Sequence, residues 1–226
     1  MIISKKALVN KSLFLKDPSS TELGERIINS SIKIIDKIGF DNFNFKKLAI
    51  DIESTEASIY RYFENKHKLL FYLISWYWSW VKSKLDKSLL GVDNPKEKLR
   101  IVINTICSAS FDDPETEMID EEALARIVIT EATKSYTTKQ VKADYNEGLF
   151  EAYSSICATI TKIIIEANPY YKNPKTFSNV IIRLIHTQIF FTANLPELID
   201  IKVTGNDFYD LENFIVNIVF KTLELE

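Results

Sequence analysis

Apolar residues recur along this chain at three- and four-residue steps, the spacing of one buried helix face, and no stretch alternates convincingly as a strand would. Leu23, Ile27, Ile28, Ile34, Ile35 and Ile38 mark a first helix. Ser19 and Glu22 have the spacing of a capping box that opens it, and Gly39 supplies its stop. Phe40 and Phe43 read as core anchors in the connection. A second helix is expected from about Asn44 to Ile52 and a third from Thr55 to about Tyr62. A much longer fourth begins at Asn65-Lys66 and continues to about Leu90.

Asn94-Pro95 with Glu97 opens the next helix, which carries Leu99, Val102, Ile103 and Ile106. The acidic stretch Asp112 to Glu122, with Pro114, reads as a loop entering a helix over about residues 120–134. From Val141 through Tyr145, Leu149, Ala152, Ile156, Ile160 and Ile163 to Ala167 the apolar positions step by 4, 4, 3, 4, 4, 3 and 4, which predicts one helix of seven turns. Pro169 ends it. Asn173-Pro174 starts a further helix to about Asn194, Pro196 stops that one, and Asp207 caps a last helix with Leu211, Phe214, Ile215, Ile218 and Val219. The expectation is an all-α chain of about nine helices.

Composition agrees with that class. Only 5 Gly and 6 Pro among 226 residues argue against a turn-rich β protein. The net charge of −3 does not suggest a nucleic-acid binder, but its distribution changes the picture. Residues 1–70 hold 12 Lys+Arg against 9 Asp+Glu, and the remainder holds 16 against 22. A basic front on an acidic rear fits a DNA-facing N-terminal unit. Residues 1–18, with Lys5, Lys6, Lys11 and Lys16, read as a loose, flexible basic arm. No apolar core or cleavage site marks a signal peptide, and the apolar run Leu69–Val81 falls short of the roughly 18–20 residues of a membrane span. A cytoplasmic protein is expected. Cys107 and Cys157 lie far apart in helical patterns and read as buried reduced thiols.

Residues 45–63 carry the most information. Two short helices joined by a tight turn, the second led by small and polar residues and ending in Tyr-Arg-Tyr-Phe, have the layout of a helix-turn-helix. The second helix of that motif enters the DNA major groove, so slim side chains must lead.

The stretch from about Arg26 to Leu70 resembles the N-terminal domain of the tetracycline-repressor (TetR/AcrR) family of transcriptional regulators. Arg26-Ile27-Ile28 and Ile38-Gly39-Phe40 look like the two ends of the family's first helix, and Lys47-Leu48-Ala49 like its second. Ala57-Ser58-Ile59-Tyr60-Arg61-Tyr62-Phe63-Glu64-Asn65-Lys66 is similar to the recognition helix and the start of the fourth. The resemblance implies a helix-turn-helix DNA-binding domain over 19–66 and a larger helical effector-binding and dimerisation domain over 67–226. It implies that Lys46 reaches a base edge or phosphate, that Glu56, Ala57 and Ser58 face the bases, and that Thr55 belongs to the same DNA-binding set. Tyr60 and Tyr62 would give hydroxyls to the DNA backbone, and Lys66 would pair with a phosphate. The partners implied are double-stranded operator DNA, a small-molecule effector and a second copy of the chain, through helices at about 174–194 and 207–224. The function implied is a repressor released from its operator by a small hydrophobic or aromatic effector, with no membrane partner.

There are departures. Glu53 stands where the family favours Gly, and Glu would incur about 1–2 kcal/mol there in a left-handed conformation. Residues 41–70 hold 5 Lys+Arg and 5 Asp+Glu, so the motif has no formal net charge. A second reading follows: a helical protein–protein adaptor that keeps the fold and has lost DNA binding.

Trp76, Tyr77, Trp78 and Trp80 crowd one stretch of the fourth helix. In the family picture that helix borders the effector cavity, so Trp78 with Tyr153, His186 and Phe190 would line it. Glu64-x-x-His67 is half of a di-iron motif, but His186 has Arg183 where the second Glu should be, so no metal is expected. No Gly-rich phosphate loop, nucleophile elbow or Cys–His pairing appears, so neither an enzyme nor a cofactor is expected.

Overall fold

The computed structural model describes residues 9–111, 119–205 and 207–225, and these divide into two compact units. The first takes Met1–Trp80 and Asp112–Ala152, the second Val81–Phe111 and Tyr153–Glu226. The first unit thus joins the N-terminal helices to helices from the middle of the chain.

In the first unit lie α1 (Glu22–Ile38), α2 (Phe45–Asp51), α3 (Glu56–Tyr60), most of α4 (Lys66–Ser88), α6 (Glu121–Tyr136) and α7 (Val141–Asn146). In the second lie the end of α4, α5 (Pro95–Ser108), nearly all of α8 (Glu151–Ala167), α9 (Pro174–Asn194) and α10 (Tyr209–Thr222). Among the described residues there is no strand and there are ten α-helices, one more than the periodicity suggests. The extra one comes from the stretch read as seven continuous turns. Gly148 adopts φ 77 and breaks it into α7 and α8, and upstream of the break Tyr145 is exposed rather than part of a core face. No helix among the described residues is long and apolar enough to cross a membrane.

The helix starts follow local capping chemistry. Asn44 accepts from the Lys47 amide, Thr55 from Ser58, and Asn94 from Lys96. At α1 the cap is Thr21, whose Oγ1 accepts from the Gly24 amide, and not Ser19. Ser19 lies in a 3₁₀ turn, Pro18–Ser20, that Asp17 caps. That turn also explains Gly24. A Cβ there would lie 2.2 Å from the Pro18 carbonyl oxygen, so only glycine lets the turn seat on α1.

The core of the first unit is built from Ile27, Ile32 and Ile35 of α1, Phe40 and Phe43 of the connection, Leu48, Ile59 and Phe63, with Leu124, Ile127 and Val128 of α6. α1 packs directly on α6. The second unit packs α5 on α9 and α10 around Val102, Ile106, Ile181, Ile185, Leu211 and Ile215. α8 joins it through polar bonds, Tyr153 OH donating to Asn179 Oδ1 at 3.0 Å and Thr161 meeting Ser178 at 3.2 Å. Cys107 is fully buried there, and burial raises its thiol pKa. Cys157 is only half-buried, with a pKa pushed up to about 11 by burial.

Residues 9–18, expected to belong to a loose arm, are folded onto the first unit. Leu13 and Pro18 are buried, and the Leu15 amide donates to the Tyr62 carbonyl at 2.8 Å. The reason is apolar: Leu13 interrupts the charged stretch with a side chain that gains about 1.5–3 kcal/mol on full burial. Lys5 and Lys6 of that arm, and Asp112 to Met118 of the expected acidic loop, lie outside the described residues.

Candidate nucleic-acid interface

The α2–turn–α3 segment is fixed by its ends. Beyond Asp51 the Ser54 amide donates to the Ala49 carbonyl at 2.9 Å and the Glu53 amide to Ile50 at 3.2 Å. These are the two bonds of a Schellman motif, whose penultimate residue must be left-handed. Glu53 holds that position with φ 48. The turn is therefore not remodelled around the missing glycine, and Glu53 carries the strain. Arg26 of α1 donates from Nη2 to the Ile52 carbonyl, tying the turn to the rest of the head.

Within this frame Leu48, Ala49, Ile52, Ile59 and Phe63 face inward. Lys46, Lys47, Ile50, Thr55, Glu56, Ala57, Tyr60 and Arg61 are exposed. Thr55 Oγ1 accepts from the Ser58 amide at 3.2 Å and meets Ser58 Oγ at 2.9 Å, so both hydroxyls are engaged in the cap. The leading edge of α3 is thus Thr55, Glu56 and Ala57, narrow and outward. Tyr60 lies edge-on to Phe45 at 5.0 Å yet keeps 49% of its surface.

Two residues expected to contact DNA are engaged within the protein. Tyr62 is 3% exposed, its hydroxyl hydrogen-bonded to Thr21 Oγ1 at 2.7 Å and its ring covered by Lys16 Nζ at 5.0 Å. Burial opposes ionisation of this phenol, but the Thr21 bond and the Lys16 charge outweigh it, and its pKa lies below the usual tyrosine value. Lys66 is occupied too. Its ammonium donates to the carbonyls of Phe40 at 3.1 Å, Asp41 at 3.3 Å and Phe43 at 2.9 Å, and lies over the Phe40 ring. It closes the α1–α2 connection instead of reaching outward. His67 packs edge-on against the same ring at 5.3 Å.

Arg61 and Ile50, both exposed, received no role in the sequence reading. The signal for Arg61 was present: it follows Tyr60 directly and lies one turn beyond Ala57.

The four effector candidates are divided. Trp78 is buried in the first unit, edge-on to Tyr77 at 5.1 Å, while Tyr153, His186 and Phe190 belong to the second. His186 has its pKa pushed down to about 4 by burial, with the charge of Arg183 adding to the effect. An open groove along α9, lined by Thr176, Asn179, Val180, Arg183, Leu184 and Thr187, involves none of the four.

No family model matches the sequence, and no curated protein does. Solved structures do match. A regulatory protein of the TetR family from Rhodococcus RHA1 aligns with a TM-score of 0.65 at 13% identity, covering 90% of this chain and 98% of that one. The fold is that of the TetR-family regulators. FadR from Bacillus subtilis, solved with stearoyl-CoA, gives 0.61 at 17% identity over 86% of this chain and 96% of its own. AibR, solved with isovaleryl coenzyme A and operator DNA, gives 0.58 at 14% identity over 86% and 95%. At such identities the likeness to the TetR-family proteins is one of fold alone.

Proposed function

We propose that this chain is a TetR-family transcriptional regulator, a repressor that binds operator DNA as a homodimer and is released by a small hydrophobic effector. One observation carries the reading. α3 buries Ile59 and turns its slim leading residues Thr55, Glu56 and Ala57 outward, on a turn held rigid by two backbone bonds. That is what entry into a major groove requires: narrow side chains at the tip and an orientation fixed before contact. Lys46, Tyr60 and Arg61 flank the tip and supply phosphate contacts, which set register, while base edges carry specificity.

A second copy is proposed to pack on α9 and α10, where Val180 and Phe214 keep 47% and 43% of their surface in solvent. Two recognition helices would then meet successive major grooves roughly 34–36 Å apart. The effector is proposed to meet Tyr153, His186 and Phe190 in the second unit. Isovaleryl-CoA and stearoyl-CoA, found with AibR and with FadR, are the first ligands to try.

Selection of bound sequences from a random DNA pool tests the reading, followed by titration of the selected DNA with each acyl-CoA. Recovery of a two-fold symmetric sequence whose binding weakens in Lys46→Ala and Arg61→Ala supports it. No enrichment at low salt overturns it in favour of the adaptor, which Glu53 and Glu56 on the exposed face favour. Sedimentation of the free protein tests the dimer separately.

A further inference from the structure

The segment expected to be loose reaches two places at once. At one end the Leu15 amide donates to the Tyr62 carbonyl at 2.8 Å, and Lys16 covers the Tyr62 ring, just past the last residue of α3. At the other, Asn10 Nδ2 donates to the Glu147 carbonyl at 3.0 Å, with Ser12 Oγ 3.4 Å from the same oxygen. Between them Leu13 is fully buried and Phe14 meets Tyr72 edge-on at 6.0 Å; Tyr72 in turn meets Phe63 at 5.4 Å. Asn10 cannot swing freely, because its Oδ1 already accepts from the Ser12 amide and hydroxyl at 2.9 and 2.8 Å.

The Glu147 end is not an arbitrary anchor. It is the turn where α7 stops and α8 begins, made by Gly148 at φ 77. A Cβ on Gly148 would lie 2.7 Å from Asn10 Nδ2, so the approach itself requires glycine. The turn is also seated on α4: Lys68 pairs with the Glu147 carboxylate at 2.9 Å, Ser75 Oγ donates to the Leu149 carbonyl at 3.3 Å, and Phe71 meets Phe150 at 5.5 Å.

We propose that residues 10–16 form a strap tying the exit of the recognition helix to the α7–α8 turn, with Asn10 and Tyr62 as the positioning residues at its ends. The inference rests on the DNA-binding reading and adds its regulation. A buried Leu13 makes the strap stiff, and packed side chains shift between discrete arrangements rather than stretching. A ligand that displaces the Glu147–Leu149 turn therefore displaces the end of α3 as well. It acts only through its differential affinity for the two positions of the turn.

Asn10→Ala with Ser12→Ala removes the ties to the Glu147 carbonyl and leaves Leu13 buried and the Leu15–Tyr62 bond in place. The full-length double variant should bind the selected DNA about tenfold more weakly, equivalent to about 1.4 kcal/mol. Amide exchange at Tyr62 and Phe63 should accelerate, with the melting temperature lowered only by the lost Asn10 cap. Gly148→Ala also strains a turn at φ 77, so it should weaken DNA binding in the native background and weaken it by less once Asn10 is Ala. Lys142→Ala, exposed on α7, is the control and should leave exchange at Tyr62 as it was. Native exchange and native DNA affinity in the double variant overturn the strap. If the unaltered protein selects no DNA, the regulator reading falls, and exchange at Tyr62 still decides whether the two ends are linked.

Discussion

Arg126 of α6 grips Asp36 of α1 through two parallel hydrogen bonds, Nε to Oδ1 at 3.0 Å and Nη2 to Oδ2 at 2.9 Å. Two further ties lie along the same helix. Glu131 Oε1 accepts from the buried Phe40 amide at 3.2 Å, and Lys134 reaches Asp41 at 2.6 Å. Together they fasten the middle of the chain to α1 and to the connection that leads into α2. α6 therefore belongs to the head, although it lies about ninety residues away in sequence.

These ties are unequal. The Arg126 pair is partly exposed, and such pairs contribute about 0–1 kcal/mol. Glu131 is 8% exposed and serves an amide that has lost its water. Glu131→Ala should destabilise the protein by about 1–3 kcal/mol, the cost of an unsatisfied buried group, while Arg126→Ala should stay within about 1. Urea denaturation of both variants measures the difference, and equal losses would refute the ranking.

Glu53 offers a gain. It occupies a left-handed position with φ 48 that a glycine would take without steric conflict. Glu53→Gly should stabilise the head by about 1 kcal/mol, somewhat offset by the freer unfolded chain. It also removes a carboxylate from the exposed face, so binding to arbitrary duplex should tighten at low salt. Thermal melting and a gel shift with unrelated DNA read the two effects independently.

Most helix starts were legible in the sequence, although α1 opens at Thr21 and not at the expected Ser19. Asn44, Thr55 and Asn94 each cap within three residues, and Asn173-Pro174 precedes α9 as expected. Helix ends and breaks were less so. The apolar step pattern runs on across Gly148, because periodicity records which face is apolar and not whether the backbone continues. At the candidate site the exposed tip of α3 was legible, since its residue types are local information. The roles of Tyr62 and Lys66 were not. Their partners, Thr21 and the carbonyls of Phe40 to Phe43, lie more than twenty residues earlier, and no local pattern announces them.

Lys66 separates a positioning cation from a phosphate contact. Its ammonium is spent on three carbonyls of the α1–α2 connection. Lys66→Ala should lower the melting temperature and weaken DNA binding at every salt concentration, leaving the slope of log K against log salt unchanged. Lys46→Ala and Arg61→Ala, on the exposed face, should each reduce that slope by about 1 and leave melting nearly untouched. A reduced slope for Lys66→Ala would restore it to the DNA contacts.

His186 sets an acid limit on the second unit. Burial first, and then the neighbouring charge of Arg183, push its pKa down to about 4, well below the ordinary histidine value of about 6.5. Between those two values the unfolded chain binds a proton that the folded one refuses, so stability must fall as pH drops through this window. The ring keeps some surface in solvent, and the loss is at most about 3 kcal/mol. Urea midpoints at pH 7.5 and pH 5 should therefore differ for the native protein and converge for His186→Gln, which cannot titrate. If the two proteins lose stability in parallel over that range, the acid sensitivity lies in other groups and His186 is not its source.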